Sequence, residues 1–125
     1  MKTIHTKHAP AAIGPYSQAI DCGSFLVTSG QVPFDPKTGE FVPGGIQEQT
    51  RQVFRNIKAI VEAAGLTMDN VVKTTVFLQH MSDFAAMNAV YAEFFTEGQY
   101  PARSAVEVGA LPRGALVEIE TICVK

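Results

Sequence analysis

This chain is short of charge. Only 18% of its 125 residues are Asp, Glu, Lys or Arg, while 46% are hydrophobic. Globular domains usually carry about a quarter charged residues. A surface this poor in charge points to cover by another subunit. Positive charge is scarcer than negative: ten Lys and Arg stand against twelve Asp and Glu, for a net charge of −2. No basic run occurs, which argues against the cationic stripe of a nucleic-acid binder, so no nucleic-acid partner is expected.

Cysteine is nearly absent. Cys22 and Cys123 are the only two; a disulfide between them is possible but not expected in a reducing compartment, and Cys123 reads as a small buried hydrophobe. His5 and His8 stand three apart with no third or fourth ligand placed near them, so no metal site is expected. Nothing approaches the roughly 20 apolar residues of a membrane span. Met1–His8 lacks the apolar segment of a secretory leader. The expected location is cytoplasmic, with no membrane partner. Internal repeats and low-complexity tracts are also missing. The length suggests one domain, 1–125, large enough to bury about two-thirds of its unfolded surface.

What is present is periodic. Tyr16–Ile20 and Phe25–Ser29 read as strands, joined across the turn residues Asp21–Ser24 as a hairpin. Gly30 closes the second strand and permits a close backbone approach. Val32–Gly45 is a long loop rich in Pro and Gly. Ile46–Ala64 reads as a helix, with Val53, Ile57, Ile60, Val61 and Ala64 as its apolar stripe and Gln52, Arg55 and Glu62 opposite. Gly65 stops it. Val71–Gln79, dense in β-branched residues, reads as a central strand. Ser82 is the expected N-cap of a second helix running to about Thr96, with Phe84, Met87, Tyr91, Phe94 and Phe95 buried. Asn88 falls inside that stripe and is expected either to pin a backbone segment or to sit at an interface.

Two strands close the chain. In Pro101–Val108, Arg103 shares a face with Ala105 and Glu107; in Ala115–Val124, Glu118 and Glu120 share one face and Val117, Ile119, Thr121 and Cys123 the other. A hairpin through Gly109–Gly114 would make them neighbours. An arginine on a strand is most often a solvated charge, and a Glu–Arg pair a wet surface ion pair. On a rigid element lining a cleft, the same residues can hold a carboxylate through the guanidinium fork and activate a water. The order β-β-α-β-α-β-β specifies an α+β fold, a mixed sheet with two helices packed on one face. The other face is left to a second copy of the chain.

Ala12–Tyr16, Thr28–Gln31, Asn56–Gly65, Lys73–Phe77, Asp83 with Phe84 and Asn88, Pro101–Ser104 and Glu118–Glu120 together resemble, in order, the blocks of the YjgF/RidA family of enamine/imine deaminases. The resemblance covers essentially the whole chain. It implies a chorismate-mutase-like fold and a homotrimer with active sites between subunits and no cofactor. It also implies hydrolysis of 2-imino acids to 2-keto acids and ammonia, linked to pyridoxal-phosphate-dependent dehydratases that release them. By the same resemblance Arg103 binds the substrate carboxylate, Glu118 activates water, and Tyr16 lines the pocket and hydrogen-bonds. Ser29 and Gly30 supply backbone contacts, Asn88 supports the site and Pro112 shapes its rim. Many bacterial members have cysteine where this chain has Ala105, so only the backbone carbonyl there is left to accept from the imine nitrogen. The segment before Pro101 is shorter than in the family pattern, and Phe41–Gly45 slightly longer. Two further classes are a regulatory module that binds a small molecule in the same cleft without turnover, and an RNA-cleaving translation inhibitor.

Overall fold

Apolar periodicity of 3.6 residues decides where the first helix lies. Val53, Phe54, Ile57, Ile60 and Val61 fall on one stripe of α1 (Ile46–Ala63), and all are fully buried. Its start is fixed by Glu48, whose carboxylate accepts from the Gly45 N–H at 3.0 Å. In the computed structural model, which describes residues 1–125, this stripe packs on a six-stranded sheet. The strands are β1 (Lys2–Ile4), β2 (Ala19–Asp21), β3 (Phe25–Thr28), β4 (Val71–Leu78), β5 (Ala102–Glu107) and β6 (Val117–Val124), in spatial order β1-β2-β3-β6-β4-β5. The second helix, α2 (Phe84–Tyr91), packs beside α1 and continues through a 3-10 turn, Ala92–Phe94.

The α+β class, the mixed sheet and the β2–β3 hairpin agree with expectation. Several details are corrected. Lys2–Ile4 adds an unforeseen edge strand, paired to β2. Tyr16–Gln18 precede β2 as loop, because Gln18 turns inward: its amide donates to the carbonyls of Thr6 and Pro10 and accepts from the Thr6 N–H, clamping the N-terminal segment. Ser82 caps nothing; it lies in a 3-10 turn, Met81–Asp83, whose first N–H is taken by the Glu107 carboxylate at 2.7 Å. Gln52 is buried and donates to Asn56 Oδ1, while Asn56 donates to the carbonyls of Val32 and Phe34 and so fastens the long loop to α1.

The largest correction concerns the last two strands. They form no hairpin. β4 lies between them, antiparallel to β6 and parallel to β5. The helix α2 returns the chain to the end where β4 began, as a parallel crossover requires, and β5 takes the sheet edge. Pairing matches faces. Thr74, Val76 and Leu78 of β4 are buried beneath the helices together with Val117, Ile119, Thr121 and Cys123 of β6. Lys73, Thr75 and Phe77 point the other way, alongside Glu118, Glu120 and Ile122.

Candidate active site

Arg103 stands opposite Thr74 across the β4–β5 ladder. It therefore lies on the helix-covered side of the sheet, where α2 meets it. Its Nη1 donates to Asn88 Oδ1 at 2.6 Å. Its guanidinium carbon sits 4.7 Å from the centre of the Tyr91 ring and 5.2 Å from that of Phe84. Phe84, Asn88 and Tyr91 follow helical spacing, so one face of α2 supplies all three. The Tyr91 hydroxyl is tied to the Thr74 hydroxyl at 2.7 Å. Ion pairs join Arg51 to Glu93, Lys58 to Glu62 and Lys125 to Asp21; Arg103 belongs to none. It lines an open cleft of about 440 Å³ together with Asn88, Tyr91, Ala92, Tyr100 and Pro101. Another hollow, about 460 Å³ and lined by Lys58, Glu62, Asp69 and Glu93 among others, contains none of the expected site residues.

Glu118 is organised differently. It pairs with Phe77 on the helix-free side of the sheet and lies across Gly30. A Cβ on Gly30 would stand 2.5 Å from Glu118 Oε1, so the carboxyl group occupies space that only glycine leaves open. Val27 opposes Ile122 while Gln31 opposes Ile119, which places one extra residue in the bulge around Ser29 and Gly30. Ser29 Oγ donates to the Ser17 carbonyl at 2.6 Å, tying the bulge to the loop that carries Tyr16. Tyr16 is 52% exposed, and its hydroxyl accepts from the Ile13 N–H at 3.3 Å. Burial raises the Glu118 carboxyl pKa, and the Glu120 charge beside it raises it further.

Thr74 and Phe77 point to opposite faces of β4, and so do their partners Arg103 and Glu118. Within one protomer the two cannot close on one small ligand. Each anchors one half of the expected set of site residues, one on the α2 side of the sheet edge and one on the bare side.

A family model described as endoribonuclease L-PSP matches residues 6–125. The chain is 56% identical to the 2-iminobutanoate/2-iminopropanoate deaminase of Escherichia coli K12, over 99% of this chain and 98% of that one. The YjgF gene product of E. coli superposes with a TM-score of 0.96 at 54% identity, covering 100% of this chain and 99% of its own. A structure of E. coli TdcF with bound serine gives 0.95 at 50% identity, covering 100% and 99%.

The chain belongs to the YjgF/RidA family.

For a YjgF/RidA chain, the expected site residues fall into these two halves. Arg103, Asn88 and Ala105 belong to the first; Ala105 sits opposite Val76 and turns its methyl toward the core. Tyr16, Ser29, Gly30 and Glu118 belong to the second. Pro112 is exposed and opens a 3-10 turn in which Arg113 adopts φ +55. One expectation for Asn88 is corrected: its side chain makes no hydrogen bond to backbone, and its carbonyl instead accepts from Arg103. Phe84 and Tyr91, expected from their spacing to belong to the core, in fact lie against Arg103. Their signal was present, since they lie one turn before and after Asn88. Tyr100, half exposed in the cleft wall, gave no periodic signal.

Proposed function

We propose that this chain hydrolyses 2-imino acids such as 2-iminopropanoate and 2-iminobutanoate to 2-keto acids and ammonia. We place it in the cytoplasm, downstream of the pyridoxal-phosphate-dependent dehydratases that release such compounds. Arg103 carries the reading. It is a half-buried guanidinium with no acidic partner, held by an amide and two rings at the mouth of a cleft. Such a fork is free to take a carboxylate by two parallel bonds. The deaminase name of a relative 56% identical supports the same reading.

The reaction balances on the residues present. Glu118 takes a proton from a water as its oxygen attacks C2, and the imine nitrogen takes up that proton. The carbinolamine then transfers its hydroxyl proton to nitrogen, the C–N bond breaks, and ammonia leaves a keto acid. A carboxylate with a raised pKa suits this return of the proton. Because Arg103 and Glu118 face opposite sides of one sheet, the site is completed by a second copy, and a homotrimer supplies three such junctions.

A threonine or serine dehydratase provides the test. Catalytic amounts of this protein should speed release of 2-oxobutanoate or pyruvate beyond the spontaneous rate, undiminished by a chelator. The same imine made by an amino-acid oxidase should also be consumed. No acceleration with either source would sink the deaminase reading. The serine bound in the related TdcF favours one other reading, a binding module for an amino-acid carboxylate; calorimetric binding without turnover would select it.

A further inference from the structure

We infer that Tyr91 and Phe84 are positioning residues that hold the Arg103 guanidinium in an uncharged aromatic clamp, keeping its charge and outward donors for a ligand carboxylate. The inference deepens the deaminase reading and rests on it for the nature of the ligand.

A half-buried guanidinium needs compensation for lost water. An acidic neighbour would supply it, but would also fill the fork and cancel the charge. Here the compensation is neutral. Asn88 offers a carbonyl dipole, at 2.6 Å from Nη1. Tyr91 and Phe84 offer ring faces whose negative quadrupole attracts the cation, at 4.7 and 5.2 Å.

The Tyr91 ring is itself fixed on three sides. Phe54, fully buried, meets it edge-on at 5.3 Å between centres; Phe95 lies against it at 4.9 Å; and the Thr74 hydroxyl holds its own hydroxyl at 2.7 Å. Thr74 is also the residue paired with Arg103 across the ladder. Backbone register and ring position thus come from one residue, and the arginine is ordered before any ligand arrives. Pre-ordering a long side chain removes an entropy cost from binding.

Two readouts on the full chain separate positioning from general packing. The first needs no ligand: the NMR order parameter of the Arg103 Nε–Hε group, with its signal identified by loss in Arg103→Lys. It should be high in the wild type and in Tyr91→Phe, and should fall in Tyr91→Leu and Phe84→Leu. The second is calorimetric affinity for 2-oxobutanoate, a stable 2-keto acid. Affinity should weaken about three- to tenfold in Tyr91→Leu and Phe84→Leu, and by less than about twofold in Tyr91→Phe. Tyr91→Phe should nevertheless lose heat stability, since it strands the Thr74 hydroxyl. In an Arg103→Ala background, Tyr91→Leu should change affinity by less than about twofold.

Phe84→Leu, at a half-buried site, stands in should Tyr91→Leu fail to fold. A mobile Arg103 in the wild type, or equal loss of affinity in Tyr91→Phe and Tyr91→Leu with the arginine still rigid, overturns the clamp. A rigid arginine loosened by Tyr91→Leu in a protein that ignores 2-oxobutanoate would uphold the clamp and remove the carboxylate ligand instead.

Discussion

One strand, β6, shows both faces of the sheet at once. Val117, Ile119, Thr121 and Cys123 lie beneath the helices and are at most 1% exposed. Ile122 and Val124 on the other side are 38% and 45% exposed, with Phe25, Val72 and Val106 exposed to a similar degree elsewhere. Both sides are apolar, but only one is covered within the chain. The covered side holds the packed core and anchors Arg103. The bare side carries Glu118 over Gly30 together with the exposed apolar side chains Ile122 and Val124, the composition expected of a contact surface. Scarce charge in the sequence fits the proposed assembly, in which that surface would be covered by other copies of the chain.

Substitutions on the two faces of β6 should have opposite consequences. Ile119→Ala opens a cavity in the core and should cost about 2–5 kcal/mol, seen as an earlier unfolding midpoint at every protein concentration. Ile122→Lys should leave the circular dichroism of the fold intact and yield a monomer by light scattering, with turnover lost because the two halves of the site separate. A folded, active trimer bearing Lys at 122 would mean that copies meet elsewhere.

Next in size is Glu118→Gln. The amide keeps the shape but cannot take a proton, so turnover should fall roughly a hundredfold while 2-oxobutanoate still binds. Glu120→Gln should keep most turnover. In the wild type, kcat/KM should fall as pH drops through the raised pKa of Glu118, and this acid limb should vanish in Glu118→Gln. The stability sign runs the other way. A carboxyl group that holds its proton more tightly folded than unfolded favours the fold in acid, and that contribution is lost as pH rises through the raised value. Near neutrality Glu118→Gln should therefore unfold no earlier than wild type, and later if desolvation dominates. An inactive variant that is also less stable would recast Glu118 as a structural residue.

Arg103→Lys tests the first half. It keeps the charge and loses the fork, so hydrogen bonding worth about 1.5–3 kcal/mol should weaken and kcat/KM should fall about ten- to a hundredfold. Unchanged kinetics in the folded variant would return Arg103 to the class of solvated surface charges.

The sequence showed the faces more clearly than the neighbours. Alternation in Val117–Val124 and helical spacing in Ile46–Ala63 are local properties, and both were legible. So was the need for Gly30, although not its cause, since Glu118 reaches it only through a bulge between distant segments. Strand order is not local. Adjacent strands joined by a short glycine-bearing loop suggest a hairpin, and here that preference lost to the parallel crossover through α2. The same limit hid the clamp: Phe84 and Tyr91 match a core stripe by spacing, and only the tertiary fold sets Arg103 upon them.

The two faces differ even between the adjacent residues Cys123 and Val124. Cys123 is fully buried between Leu26 and Val71, and burial pushes its thiol up to about 11. Below that pH it holds its proton, and the unreactive thiol is also out of reach. In the native protein an aromatic disulfide reagent should therefore modify at most Cys22, which is half-buried at the β2–β3 turn, and should find both thiols only after denaturation. Val124 is the next residue along, on the bare side. In a Cys22→Ser background, Val124→Cys should label slowly at concentrations where the trimer is assembled and quickly when Ile122→Lys is added, with Cys123 silent throughout. Fast labelling in the assembled protein would place the Val124 end of the sheet outside the contact between copies and confine the cover to the end that carries Glu118.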